Sequence, residues 1–359
     1  MAEKIKVLHY LSSLGLGGTE KTCQLFVEHS SPQFESHVAF LKDGRHPRQQ
    51  QFHIACKASG GNLIALNDKR GLQQVIQQFG IDILHVYRSG FSEFPEPGQN
   101  IRVPHFVETN VFGFLNSNPN IDKTLFMSEW LMNYSLTQAG DLGLREGRFD
   151  FVNNPVESPA SSEKIDFKFD KDEIVLGRCG RPDPGIYNSV HVKAARLLLD
   201  RGYKVRFLAV APPQNMVDEL GQYEVPFHTI DPVVDPRILS CFYNTIDILA
   251  HARADGETFG VNIAEAMMHG KPVVTHWATP SVPGMGVFQS QTELVDDGKT
   301  GFVVENDHIQ YADALQKMID SPSLRDSMGE AGQLKAENEY HVKKCVGKLE
   351  RIYREIVLS

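Results

Sequence analysis

The chain has 359 residues, more than one hydrophobic core usually serves, and its 41% apolar and 23% charged residues are the balance of a globular protein, not a disordered or fibrous one. The net charge of -9 excludes the basic stripe of a nucleic-acid binder, and no apolar run reaches the roughly 18 residues of a membrane span. The five cysteines are odd in number and lack a CxxC, which fits neither a disulfide framework nor a zinc site.

MAEKIKVLHYLSS puts charge directly before a strand-like run and offers no small-residue cleavage site, so no secretory signal is expected and the compartment reads as cytoplasmic. From there short β-branched runs alternate with helix-period segments, the pattern of parallel sheets covered by helices on both faces. In the first half the predicted strands are Ile5–Leu11, His37–Leu41, Asn62–Leu66, Ile81–Val86, Val103–Glu108 and Thr124–Met127, with helices at Thr19–His29, Leu72–Phe79 and Glu129–Ala139. His85 and His105 fall in strands and read as satisfied core residues. Lys42, Arg45, His46 and Arg48, with Lys69-Arg70, form a cationic stretch that reads either as a recruiter of an anionic acceptor or as a solvated loop. The polar segment Asn153–Asp170, with two prolines, reads as a linker before a fresh start at Glu173–Arg178. The second half adds strands Lys204–Val210, Ile246–Ala250 and Pro272–His276, with helices Val190–Leu199, Arg237–Tyr243 and Gly260–His269. Helices dominate after Ile309, and the last, Val342–Val357, is long enough to cross back onto the first domain. The expected division is a first Rossmann-like domain at 1–155, a linker at 156–170, a second at 171–340 and a returning helix at 341–359.

The stretch from Asp247 to Val274 runs strand, loop, helix, strand, and carries the most chemistry. Glu257 falls in the loop at the carboxyl end of a strand, where open α/β sheets place ligands, and Glu265 lies inside the following helix. The Gly256 and Thr258–Gly260 amides are expected to point outward unpaired and, with the helix dipole, to favour an anionic ligand group. The plain alternative is that Glu257 caps the helix and Glu265 faces solvent.

Glu257 to Glu265 resembles the E-x7-E signature of glycosyltransferase family 4, with Phe259-Gly260, Glu265-Ala266-Met267 and Gly270-Lys271-Pro272-Val273-Val274 in place. Gly17-Gly18-Thr19-Glu20 is similar to the family's GGxE loop, and Asp82-Ile83-Leu84-His85 to its DvvH strand. Ser128-Glu129, Asn154-Pro155-Val156, Gly180-Arg181 and Asp297-Gly298-Lys299-Thr300-Gly301 follow in the family's order. The resemblance implies a GT-B fold, two facing Rossmann-like α/β domains with the C-terminal helix crossing back to the first, and a retaining transfer from a UDP- or GDP-sugar. No cofactor and no metal are implied. The partners are the nucleotide sugar and a hydroxyl acceptor; nucleic acid is not among them, while peripheral membrane contact and oligomeric state stay open. Carried over by residue, Glu265 would bind the ribose hydroxyls, each charged hydrogen bond contributing ~1.5–3 kcal/mol. Glu257 would hold hydroxyls of the donor sugar near the Thr258, Phe259 and Gly260 amides, and Arg181 would neutralise the diphosphate as its charge grows. Gly17 and Gly18 would let the first domain's backbone approach the same phosphates.

Two departures stand out. The lysine that normally follows the family's arginine is Ile186 here, which leaves Lys193 as a substitute or a solvated helix residue, and the family's reacting-centre histidine is Asn110, an amide that cannot act as a general base. Asn110 keeps a place among the catalytic candidates because its amide can still hydrogen-bond a sugar hydroxyl, and a leaving phosphate can itself take the acceptor proton. The loop from Thr275 to Gln291, with His276, Trp277 and Gly284-Met285-Gly286, either reshapes the donor pocket or is an irregular surface loop. Besides a transferase, the sequence admits a non-catalytic nucleotide- or glycan-binding relative and another GT-B enzyme such as an epimerase or phosphorylase.

Overall fold

The structure, a computed structural model, describes residues 4–89, 100–138, 147–170, 172–280 and 286–359. It divides into two compact units, Met1–Pro155 with Val342–Ser359, and Val156–His341.

The first unit runs β1 (Ile5–Leu11), α1 (Gly18–Glu28), β2 (Phe34–Leu41), α2 (Gln49–Ser59), β3 (Leu63–Leu66), α3 (Gly71–Phe79), β4 (Ile83–Arg88), β5 (His105–Asn110), β6 (Lys123–Phe126), α4 (Glu129–Gln138) and β7 (Phe149–Phe151). Its sheet has the order β3-β2-β1-β4-β5-β6-β7, parallel at every pairing. Both faces of the central strands are apolar because helices cover both. Val7 and Leu11 point into the core shared with α1 and α2, whereas Leu8 and Tyr10 join the one under α3.

The second unit runs β8 (Ile174–Cys179), a 3-10 turn (Pro184–Ile186), α5 (Val190–Asp200), β9 (Val205–Val210), α6 (Gln214–Gln222), β10 (Phe227–Ile230), α7 (Pro236–Thr245), β11 (Ile248–Ala250), α8 (Val261–Met268), β12 (Val273–His276), α9 (Gln291–Leu294), β13 (Gly301–Val304), α10 (His308–Asp320) and α11 (Pro322–Glu339). Its sheet is again parallel, in the order β10-β9-β8-β11-β12-β13. Local signals set the helix starts: Asp235 accepts from the Arg237 amide with Pro236 at the first position of α7, and Asp307 caps α10 through the Ile309 and Gln310 amides. In both units the strand order reverses beside the first strand, between β1 and β4 and between β8 and β11, which opens a crevice at the carboxyl ends of those strands.

The last helix, α12 (Val342–Leu358), returns to the first unit as expected. Its buried Val342, Cys345, Val346, Leu349, Ile352, Tyr353 and Ile356 recur at helical spacing and join the core of α1 and α2. The Tyr353 hydroxyl meets Nδ1 of the buried His85 at 2.5 Å, and Thr109 Oγ1 meets its Nε2 at 2.7 Å, so His85 is the satisfied core residue the sequence suggested. Burial pushes its imidazole well below the ordinary value.

The expected linker is not a free connection. Val156 opens the second unit, the Ala160 amide donates to Ser240 Oγ at 2.8 Å and the Ile165 amide to Thr245 Oγ1 at 2.7 Å, and the Phe167 ring stacks on His228 at 4.4 Å. Residues 156–170 are a strap held along α7, because the hydroxyls there satisfy amides that a polar, proline-bearing segment cannot pair by itself. Ala139, the last residue of the predicted α4, lies outside the described residues.

Candidate functional site

The crevice of the second unit is built by the loops that leave β8 and β11. After β11 the chain must reverse within ten residues to enter α8, and two glycines make this feasible. Gly256 has φ +70 and a Cβ there would lie 1.7 Å from the Phe288 carbonyl; Gly260, φ +104, occupies the cap of α8. The Gly256 amide donates to the Arg253 carbonyl at 3.4 Å, so, contrary to the sequence expectation, it is engaged within the turn. Phe259 is a core side chain, set edge-on against Tyr340 at 5.5 Å, and Thr258 is half-buried.

Glu257 is held from several directions. Its side chain is 15% exposed; Oε1 meets His251 Nε2 at 3.2 Å and Oε2 meets Arg253 Nη1 at 3.5 Å. The Glu257 amide donates to Gln291 Oε1 at 2.9 Å, and its carbonyl accepts from the Ser290 amide at 3.0 Å. Arg253 grips Asp255 through Nε and Nη2 at 2.6 and 3.0 Å. Burial alone would raise the Glu257 carboxyl, but Arg253, then His251, then Arg181 outweigh it and leave the group below its ordinary value. Glu257 is therefore an ionised, oriented acceptor.

Glu265 projects from α8 and is half-buried. The hydroxyl of the fully buried Tyr243 donates to its Oε2 at 2.7 Å and also meets the Cys179 thiol at the end of β8. Asn262 Nδ2 donates to the Cys179 carbonyl at 2.7 Å, which ties the start of α8 to β8. The Ala254 amide donates to the Ile186 carbonyl at 3.0 Å, joining the two loops.

Two arginines mark the end of β8, and their environments divide their work. Arg178 is buried and donates to the carbonyls of Gly180, Val210, Ala211 and Arg181 at 3.2, 3.1, 2.8 and 3.0 Å, which fixes the loop; burial lowers its pKa. Ala211, one of those acceptors, sits at φ +46, a left-handed conformation that L side chains rarely adopt. Arg181 is exposed and close enough to Glu257 to lower its pKa. The second unit thus brings Arg181, Glu257 and Glu265 to one crevice. Lys193 is half-buried on α5 and Ile186 ends the 3-10 turn.

In the first unit Gly17 caps α1 and Gly18 is its first residue. A Cβ at Gly17 would lie 2.4 Å from Oε2 of Glu20, so this glycine makes room for a carboxylate folded back over the loop. Asn110, at the end of β5, is buried: Nδ2 donates to the Phe114 carbonyl at 2.7 Å and Oδ1 accepts from the Gly113 amide at 2.8 Å. Its amide thus holds the following loop on both sides. In the cationic stretch, His46 is engaged by the Leu14 amide and the Lys42 carbonyl, and buried Arg48 donates to Gln24, leaving Lys42, Arg45 and Arg70 as the exposed cations. His276 is buried at the end of β12, where Arg253 donates its amide to Nε2 at 3.3 Å; Trp277 is half-exposed, and Gly284 and Met285 lie outside the described residues. Among the described residues no group of three or more His, Cys, Asp or Glu is placed to hold a metal ion, and no helix is long and apolar enough to cross a membrane.

Sequence reasoning missed Tyr243, His251, Arg253, Thr275 and Gln291. Their partners lie several to many residues away along the chain, and none stands in a motif that singles it out.

Two parallel-sheet Rossmann-like units with this winding define a GT-B fold. The chain superposes on a glycosyltransferase from Rickettsia africae with a TM-score of 0.74 at 14% identity, covering 99% of both chains. It also superposes on Anabaena Alr3699/HepE, crystallised with UDP and glucose, with a TM-score of 0.70 at 15% identity, covering 98% of this chain and 100% of that one. Residues 233–335 match the family described as Glycosyl transferases group 1, a stretch that contains both Glu257 and Glu265. A similar protein is the capsular polysaccharide biosynthesis glycosyltransferase CapM of Staphylococcus aureus, 28% identical over 59% of this chain and 52% of its own length. Another is a D-inositol 3-phosphate glycosyltransferase of Corynebacterium diphtheriae, 27% identical over 55% of this chain and 38% of its own. The chain spans about half, or less, of the length of these relatives.

Proposed function

We propose that the chain is a retaining glycosyltransferase that moves a sugar from a nucleoside-diphosphate sugar, UDP- or GDP-linked, to a hydroxyl acceptor without a bound metal. The observation that carries this is the convergence of Arg181, Glu257 and Glu265 at the switch point of the second unit, inside or beside the stretch that matches the family. Glu265 accepts hydrogen bonds from the ribose diol, which suits a carboxylate because it takes two at once. Glu257, ionised and oriented, accepts from hydroxyls of the donor sugar. Arg181 faces the leaving diphosphate, whose charge grows as the bond from the anomeric carbon to phosphate oxygen breaks. In a same-face transfer the acceptor oxygen forms the new bond to that carbon, and its proton passes to the departing phosphate oxygen. No side-chain base is needed, which agrees with a buried, internally bonded amide at Asn110.

The test is a binding screen of UDP-, GDP- and ADP-sugars followed by a hydrolysis assay on those that bind. Hydrolysis shows a catalytic donor site, and transfer of the sugar to an added hydroxyl acceptor with the anomeric configuration kept establishes the retaining transferase. Binding without turnover supports the second reading, a non-catalytic nucleotide- or glycan-binding relative, which the isoleucine at 186 favours. Absence of binding by every sugar nucleotide and diphosphate refutes the transferase and the nucleotide-binding form of the second reading.

A further inference from the structure

We infer that His251, with the Thr275 hydroxyl behind it and Arg253 beside it, positions the Glu257 carboxylate for the donor sugar, an assignment that rests on the donor-site reading above. A solvated glutamate samples many rotamers, and ordering one costs side-chain entropy that a ligand would otherwise have to offset. Here both oxygens are held before a ligand arrives, one by His251 Nε2 at 3.2 Å and the other by Arg253 Nη1 at 3.5 Å. A carboxylate oxygen has two acceptor sites, so each keeps one for a sugar hydroxyl.

The hydrogen-bond arithmetic assigns the donor: an ionised Glu257 can only accept, so His251 Nε2 donates to it. On the other side of the ring Nδ1 is hydrogen-bonded to Thr275 Oγ1, 2.9 Å away, which fixes the plane of the imidazole. Thr275 lies in β12 and His251 just past β11, and the chain pairing that sets them side by side continues as the His251 amide donates to the Val274 carbonyl at 2.9 Å. Tyr311 locks the same corner, its hydroxyl donating to the carbonyls of His251 and Val274 at 2.9 and 2.8 Å. His251 and Thr275 are buried, so they act through Glu257 and not on the ligand: they are positioning residues. His251 is also six residues before Glu257, a spacing that a loop can close and a helix cannot.

The experiment compares wild type, Thr275→Val, His251→Leu, His251→Gln and Arg253→Met as full-length chains. Calorimetry measures UDP-, GDP- and ADP-glucose against the matching bare diphosphates, with hydrolysis of the sugar nucleotide that binds. Thr275→Val keeps the β-branched shape in its strand, so it remains informative if a His251 variant fails to fold. Thr275→Val and His251→Leu should weaken the sugar nucleotide by about three- to tenfold relative to the bare diphosphate, the loss of one hydrogen bond's worth of positioning. Arg253→Met should do the same, and hydrolysis should fall with each. His251→Gln, whose amide can donate from a similar reach, should recover most of the loss. Sugar nucleotide and diphosphate weakening together, or neither changing, overturns the positioning role. If wild type binds no diphosphate and no sugar nucleotide, the donor-site reading itself fails and the assignment falls with it.

Discussion

Replacing Glu265 by alanine should produce two separable effects whose sizes follow from its contacts. As the proposed ribose ligand, Glu265 would offer the diol a charged acceptor, with one lone pair of Oε2 already taken by Tyr243. Charged hydrogen bonds from the diol to this carboxylate would be lost with it, so the expected loss is ~2 kcal/mol, or about thirtyfold in Kd for the bare nucleoside diphosphate. As a structural group, Glu265 satisfies a fully buried hydroxyl, and leaving such a group unpaired costs about 1–3 kcal/mol. The Cys179 thiol also meets that hydroxyl and is a weak partner, which puts the cost near the lower end, ~1 kcal/mol, or about 2–4 °C in Tm for a unit of this size. Glu265→Gln separates the two, because it still accepts from Tyr243 while removing the charge: Tm should stay near wild type and Kd rise by about fivefold. Calorimetry with the diphosphate, alongside thermal melts, measures both. An unchanged Kd for Glu265→Ala in a folded protein would remove this residue from the ribose subsite, whatever happened to Tm.

Arg181→Ala should reduce turnover by ~10²–10³ and ground-state binding by much less, as expected for a cation that meets charge developing in the transition state; near-normal steady-state turnover would shift that role to another group, with Lys193→Ala as the follow-up. Activity should survive a chelator such as EDTA, and complete loss restored by a divalent ion would contradict the metal-independent reading. Leu349→Ala, in the buried stripe of α12, should cost about 2–5 kcal/mol, read as a lower denaturant midpoint with an unchanged slope. His276 gives a pH signature: burial pushes its imidazole from 6.5 down to about 4 despite the bond to the Trp277 carbonyl, so the unfolded chain binds the proton first as acid is added. Its contribution should therefore erode stability as pH falls from 6.5 towards 4, by an amount of order 3 kcal/mol, and level off below. Wild type should lose stability relative to His276→Asn as pH falls across that range; a pH-independent difference between their denaturation curves would show that His276 titrates normally.

Local patterns carried much of this protein. Ile5–Leu11 and Val205–Val210 were legible as strands because β-branched runs of that length, buried on both faces, have few alternatives. The stripe of α12 was legible because its apolar residues keep helical spacing over its whole length. Glu257 and Glu265 stood out because their spacing resembles the E-x7-E signature, a relation that is nearly local along the chain. What the sequence did not disclose are the elements whose identity depends on neighbours. β7, β10 and β13 lie at the edges of their sheets, mostly half-buried, and exist because a neighbouring strand pairs with them. α2 was hidden under the charges around it, and only its packing against β2 and α1 shows that Phe52, Ala55 and Cys56 form a face.

The same division holds at the site. The strand–loop–helix order placed Glu257 in the loop after β11 and Glu265 on α8. Only the tertiary structure decided their chemistry: Tyr243 reaches Glu265 across 22 residues, Gln291 reaches the Glu257 amide across 34, and Thr275 reaches His251 across 24. It also decided that Asn110 faces its own loop and that residues 156–170 are bound along the second unit. A hydrogen bond is set by a few tenths of an ångström between groups brought together by strand register and helix packing, and no pattern along a single chain encodes that distance.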